Sequence, residues 1–170
     1  SEFFSSKEEK LQEKLKLFYH SDYLVVSLDI HHIKEGLNRL QKKNNNLKLF
    51  TWSYEDEQAD LYIFSKRIKR QQCSLQYFYL GKKYTVHIPF TQDAYVQNAI
   101  NVIATLLLLE VDFETIKEGI AQLKAVAMRL EVRDAVNDCF LIADTYNSDL
   151  SSLKAGLEFL SQQMHKKKTL

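Results

Sequence analysis

The chain changes its hydrophobic period several times, and each change marks an element. From Lys7 to Phe18 the apolar residues Leu11, Leu15 and Phe18 fall on one helical face. Tyr23 to Leu28 (YLVVSL) is a short continuous apolar run, the pattern of a buried strand. Ile30, Ile33, Leu37 and Leu40 return to helical spacing, which ends at the loop Lys42-Lys43-Asn44-Asn45-Asn46. Leu47 to Trp52 predicts the next strand. This order predicts an α/β fold, a sheet with helices on its faces.

Beyond Trp52 the pattern becomes strand after strand. Asp60 to Lys66, Ser74 to Leu80 and Lys83 to Ile88 are separated by Lys69-Arg70-Gln71-Gln72 and by Gly81-Lys82. Such short connections predict an antiparallel meander, so the sheet should be mixed. Pro89, the only proline, closes the run. A long helix is expected from Asp93 to Leu109, with Val96, Ala99, Ile100, Ile103 and Leu107 facing inward. A second runs from Phe113 to Leu123 on Phe113, Ile116, Ile120 and Leu123. Ala125 to Leu130 reads as a connector, and the one plausible domain boundary lies near it, giving units 1–127 and 128–170. A fresh strand–helix unit follows, with Cys139 to Ala143 as a buried strand. The helix after it carries Leu150, Leu153, Leu157 and Leu160 on one face.

Composition narrows the function classes. At 45% hydrophobic and 26% charged residues, the chain is an ordinary globular sequence. Its net charge of +1 gives no pull toward nucleic acid or an anionic membrane. The start, SEFFSSKEEKLQEKLKLF, has no apolar signal-peptide core, and the longest nearly uncharged apolar stretch, Ala99 to Leu109, is too short to span a bilayer. Position 1 is not Met, so a processed product or an excised piece is expected. Cys73 and Cys139 lack metal-ligand spacing and predict two reduced, buried thiols in a cytoplasmic protein.

Most catalytic signatures are missing. Gly36, Gly81, Gly119 and Gly156 form neither GxxxxGK(S/T) nor GxGxxG, so the sequence holds no phosphate-cradling loop. The histidines show no HExxH or other ligand spacing, and His31-His32 is expected to point to two different sides of a helix. Lys66-Arg67-Ile68-Lys69-Arg70 could touch phosphate but reads better as a charged hairpin edge. The cations of His165-Lys166-Lys167-Lys168 complement the last helix dipole. What remains is Asp144-Thr145-Tyr146-Asn147-Ser148-Asp149, polar chemistry packed between a strand and a helix. Ligands of open α/β sheets bind at the carboxyl ends of strands, where the Asp144 carboxylate can accept two ribose hydroxyls. Capping by Ser148 or Asp149 explains one residue of that run, not the rest.

These pieces together resemble the Mur ligases, the ATP-dependent amino-acid ligases of peptidoglycan synthesis. MRLEV followed by LIADTYNSDLSSLKAGLEFL resembles the junction between their central and C-terminal domains. The form D-S/T-Y-N-x-D/N-x-x-S looks most like members that add D-alanyl-D-alanine to UDP-N-acetylmuramoyl-tripeptide. DAYVQNAINVIATLLLL resembles the adenine-side helix, usually HNxxNAxAA, and the opening segment resembles the helix that carries a carbamate-modified lysine. The resemblance implies a partial Mur-ligase central domain plus the first strand–helix unit of a Rossmann-like C-terminal domain. It implies ATP and Mg2+ as cofactors and an acyl phosphate attacked by the amine of the incoming dipeptide. By the same resemblance Asn98 faces adenine, Arg129 reaches the nucleotide phosphates, and Asp144 takes the ribose hydroxyls. Tyr146 and Asn147 face the active site. Lys14, with Lys16 second, carries the carbamate that helps hold Mg2+.

The sequence departs from the family pattern at Ala94 and Tyr95, where His-Asn is usual, and at Met128, where Gly is usual. The phosphate loop and the metal-binding histidine are expected upstream of Ser1, and the isolated chain is expected to be inactive. The charged helix ending in LKLF also resembles forms fused to an alanine racemase, although no racemase cofactor-lysine segment stands here. Two other readings compete: a non-catalytic α/β interaction module, and a nucleic-acid binder using the Lys66–Arg70 hairpin.

Overall fold

In the computed structural model, which describes residues 4, 6–69, 72–124, 131–136, 139–143 and 150–162, the apolar runs become the elements their periods predict. The first helix, α1 (Lys7–Lys16), starts at Ser6, whose Oγ accepts the Glu9 N–H at 3.1 Å. Glu8 and Glu9 occupy its first turn and Lys14 and Lys16 its last, as the helix dipole favours. Then come β1 (Tyr23–Ser27), α2 (Ile33–Lys43), β2 (Lys48–Ser53), β3 (Leu61–Lys69), β4 (Gln72–Tyr79) and β5 (Lys82–Ile88). Two helices, α3 (Asp93–Leu108) and α4 (Phe113–Ala121), complete a unit spanning Ser1–Gln122.

The strands form a five-stranded sheet in chain order, β1-β2-β3-β4-β5. β1, β2 and β3 run parallel, and β4 and β5 are antiparallel additions, so the sheet is mixed as the sequence predicts. Side chains alternate faces along each strand. Leu24 and Val26 point to one face, where they form a cluster with Leu15, Ile33, Leu37, Leu40 and Leu47 under α1 and α2. Phe50, Trp52, Leu61, Ile63, Leu75, Tyr77, Val86 and Ile88 line the other face, buried under α3 and α4 with Val96, Ile100, Ile103, Leu107, Ile116 and Ile120. Each such side chain contributes about 1.5–3 kcal/mol on burial.

Three local features set the geometry. Gly36 lets α1 approach α2 closely, since a Cβ there would lie 2.6 Å from Leu15 Cδ1. Leu80 (φ 47°) and Gly81 (φ 72°) both take positive φ and form the tight β4–β5 turn, joining Tyr79 to its partner Lys82. α3 ends with Glu110 in the left-handed region (φ 59°), its N–H bonded to Leu107 O and that of Val111 to Leu106 O, each at 3.0 Å. That pair of bonds is a Schellman cap in which a glutamate holds the place usually taken by glycine.

Leu123–Leu170 form a separate unit. Its strands β6 (Glu131–Asp134) and β7 (Phe140–Ala143) pair antiparallel, and α5 (Leu150–Gln162) follows. β6 was not expected from the sequence. Cys139 to Ala143 is not the buried strand expected: Cys139 is exposed, as are Phe140 (46%) and Leu141 (54%). Only Cys73 is a buried thiol. With only two strands in its sheet, this unit does not cover both faces of the apolar run, which stays open. Leu153 and Leu157 on α5 are exposed as well. Among the described residues, no helix is long and apolar enough to cross a membrane.

Candidate functional site

The carboxyl ends of β1 and β2 are where an open sheet with parallel strands presents ligand-binding groups. Here Ser27 ends β1 and Ser53 ends β2, and the loops that follow bring acidic residues together. Ser53 is fully buried, and its Oγ–H donates to Asp29 Oδ1. The same oxygen accepts the N–H groups of Glu55 (3.0 Å) and Asp56 (2.8 Å), so one hydroxyl fixes the whole turn. Asp29 Oδ2 accepts the Tyr54 N–H at 2.9 Å, tying the β1 loop to the β2 loop.

A cleft of about 460 Å³ opens beside this network, lined by Asp29, Lys34, Ser53, Glu55, Asp56 and Glu57 among others. Lys34 Nζ donates to Asp56 Oδ2 at 2.6 Å. That bond, with the Gln58 N–H at 3.0 Å, holds the Asp56 carboxyl below its ordinary range. The cleft is therefore acidic with one engaged cation. It suits a cation or a hydroxyl-rich group better than an unaccompanied phosphate.

Neighbouring groups are positioned by gaps in the sheet pairing. β2 and β3 pair only from Trp52 and Leu61 onward, so the Thr51 N–H lacks a strand partner. The Asp60 carboxylate accepts it at 2.7 Å and the Thr51 hydroxyl at 2.8 Å. The buried Tyr54 hydroxyl has no hydrogen-bond partner, and burial pushes its phenol well above the ordinary value. Lys66 lies over that ring at 5.9 Å while pairing with Asp93 at 2.5 Å, so this lysine of the basic hairpin is already engaged.

The sequence candidates distribute as follows. Lys14 and Lys16 are exposed on α1, and Asn98 is exposed on α3. These helices cover opposite faces of the sheet. Lys16 forms an ion pair with Glu13 one turn earlier, which raises its pKa. One turn beyond Asn98, Asn101 Oδ1 accepts the Trp52 indole N–H at 2.8 Å. Arg129, Asp144, Tyr146 and Asn147 lie outside the described residues, as do Arg70 and His165. Sequence reasoning missed the Asp29–Ser53 network. Its only signal is the placement of SLD and SYED directly after apolar strand runs.

The expectation for His31-His32 is corrected. Both precede α2 rather than sitting within it, and His32 takes a left-handed backbone (φ 59°) at the N-cap position. Their ring centroids are 3.8 Å apart, so the rings stay together instead of pointing to two sides of a helix.

A family model described as the Mur ligase middle domain matches residues 1–106. The chain is 25% identical over 164 residues to the UDP-N-acetylmuramoyl-tripeptide–D-alanyl-D-alanine ligase of Rickettsia prowazekii, covering 95% of this chain and 36% of that protein. MurF from Acinetobacter baumannii superposes with a TM-score of 0.74 at 22% identity, covering 94% of this chain and 34% of that one. The MurF ligase of Thermotoga maritima in complex with ADP gives a TM-score of 0.63 at 17% identity, covering 94% and 36%. The chain thus spans about a third of the length of the relatives it matches.

Proposed function

Because the chain belongs to the Mur ligase family through its middle domain, we propose that it carries the adenine, ribose and metal side of a peptidoglycan-precursor ligase. The reaction we assign joins D-alanyl-D-alanine to UDP-N-acetylmuramoyl-tripeptide, as in the relative from Rickettsia prowazekii. Residues 1–127 are the later part of an ATP-binding domain, and 128–170 begin the C-terminal ligase domain. The match across residues 1–106 is the observation that carries this reading.

The donor set fits parts of a magnesium nucleotide and not others. Asn98 presents an exposed amide on α3, a group that both donates to and accepts from a base edge. The strand-end cleft offers carboxylates suited to Mg2+. None of the four glycines stands in a phosphate-cradling loop, so these residues fit the base, ribose and metal ends of the nucleotide rather than its phosphate chain. Arg129 supplies a fixed cation toward the phosphates, and Asp144 accepts from the ribose hydroxyls. Tyr146 and Asn147, which follow β7 in the chain, face the substrates in this reading.

Lys14 is the carbamate-bearing lysine in this reading, with Lys16 second. A carbamate converts Lys14 from a cation to an anion that helps hold Mg2+. ATP supplies the phosphoryl group that activates the tripeptide carboxylate for attack by the amine of D-alanyl-D-alanine.

The test is phosphate release by the full-length gene product, supplied with ATP, Mg2+, UDP-N-acetylmuramoyl-tripeptide and D-alanyl-D-alanine. Arg129→Ala and Asp144→Ala should each lower turnover by about a hundredfold or more while leaving the unfolding midpoint nearly unchanged. Wild-type turnover in both variants would remove the assignment. The 170-residue chain alone should show no ligase turnover.

A further inference from the structure

We propose that Glu8, His31 and His32 form a surface site for a divalent transition-metal ion of the zinc type. The site would clamp the start of α1 to the start of α2. It is independent of the ligase reading.

The site sits at one end of the α1–α2 seam. On α1, Glu8, Leu11 and Leu15 are spaced to share one face; on α2 so are Gly36 and Leu40, and His32 stands at the N-cap position just before that helix. Leu15 packs against Gly36, leaving no room for a side chain at that position. The apolar seam thereby fixes how close the two helices come. At its open end the contacts change from apolar to ligand-bearing, and His32 Nε2 lies 3.2 Å from Glu8 Oε1.

The backbone of His32 serves this arrangement. At the N-cap position a side chain normally accepts from the first turn, but His32 makes no such bond. Its left-handed backbone, φ 59° and ψ 10°, brings its ring beside that of His31, with centroids 3.8 Å apart and planes tilted by 57°. Histidine is among the residues that tolerate this region best.

One ligating atom from each of Glu8, His31 and His32 lies within 4.8 Å of the others. Zinc binds imidazole nitrogen and carboxylate oxygen at about 2.0–2.2 Å in a tetrahedron, which sets its ligands about 3.4 Å apart. The three side chains need to draw together by about an ångström, which side-chain rotation supplies because all three are exposed. Solvent water would complete the shell. Two imidazoles and one carboxylate favour zinc, nickel or cobalt over Mg2+, which prefers oxygen ligands.

The experiment is calorimetric titration of the 170-residue chain with Zn2+, paired with Co2+ absorption as a spectroscopic signature of nitrogen ligation. One equivalent should bind and raise the thermal midpoint. His32→Asn, which keeps a residue that tolerates left-handed backbone, and Glu8→Gln should each weaken binding by at least about tenfold. His87→Ala, an exposed histidine on β5, should change nothing. No saturation by Zn2+ up to the millimolar range would overturn the proposal. So would unchanged affinity in both site variants, or equal binding of Mg2+.

Discussion

Trp52 on β2 donates its indole N–H to Asn101 Oδ1 on α3 at 2.8 Å. The bond ties strand β2 to the helix that presents Asn98. Trp52 is 3% exposed, so its N–H has little access to water if that acceptor is lost. Asn101→Leu should therefore destabilise the first unit by about 1–3 kcal/mol, whereas Asn101→Asp retains an acceptor and should cost less. Trp52 is the only tryptophan, so its fluorescence during urea unfolding reads the effect directly.

The contact between Gly36 and Leu15 makes a second prediction. A β-branched side chain at Gly36 would enter the space that Leu15 Cδ1 fills. Gly36→Val should lose about 1–3 kcal/mol by overpacking. Gly36→Ala should lose less, because helix propensity returns about 1 kcal/mol and only the end of the Leu15 side chain must move. Urea midpoints of the two variants against wild type check the order.

Glu110 is held at φ 59° in the cap of α3, a conformation that disfavours any residue with a Cβ. Glu110→Gly relieves that strain and should stabilise the unit by about 0.5–1 kcal/mol, net of the greater freedom glycine has when unfolded. A rise in thermal midpoint without loss of helical circular dichroism is the expected result.

Acid should loosen α4 through its cap. Asp112 accepts the Thr115 N–H at 2.9 Å and the Thr115 hydroxyl at 2.5 Å, and these bonds lower its pKa from an ordinary 3.8. A lowered folded pKa contributes stability that is present above the unfolded value and is lost as pH falls through the folded one. Asp112→Asn keeps an acceptor without a titrating group. It should flatten the stability-versus-pH slope as pH falls below the ordinary carboxylate value, measured by urea midpoints at each pH.

Much of this fold was legible because its periods are strong. Val96, Ala99, Ile100, Ile103 and Leu107 were placed inward on α3 from spacing alone, and all are buried. The meander followed from short connections, and its mixed sheet matches. β6 escaped because Glu131–Asp134 alternates charge with a single valine and carries no continuous apolar run. The histidine pair was misplaced because nothing in the local sequence announces a left-handed residue at His32; its position depends on α1 packing against α2. The Asp29–Ser53 network joins residues on two different loops, and no spacing rule connects them. The run from Asp144 to Asp149 was legible as a ligand edge from its place between a strand and a helix, whereas the separate roles of Tyr146 and Asn147 came from the resemblance; all of these roles are a proposal.

Every strand of the five-stranded sheet pairs with the strand next to it in the chain. No strand must be inserted between two that are already in place. The sheet can grow from the tight Leu80–Gly81 turn toward β1, each new strand closing only the connection to the strand already in place. Such an order keeps contact order low for a sheet with parallel pairs, and loop-closure entropy is spent in small steps. The slower steps should be the two parallel pairings, because the chain must cross over between β1 and β2 through α2 before their hydrogen bonds form.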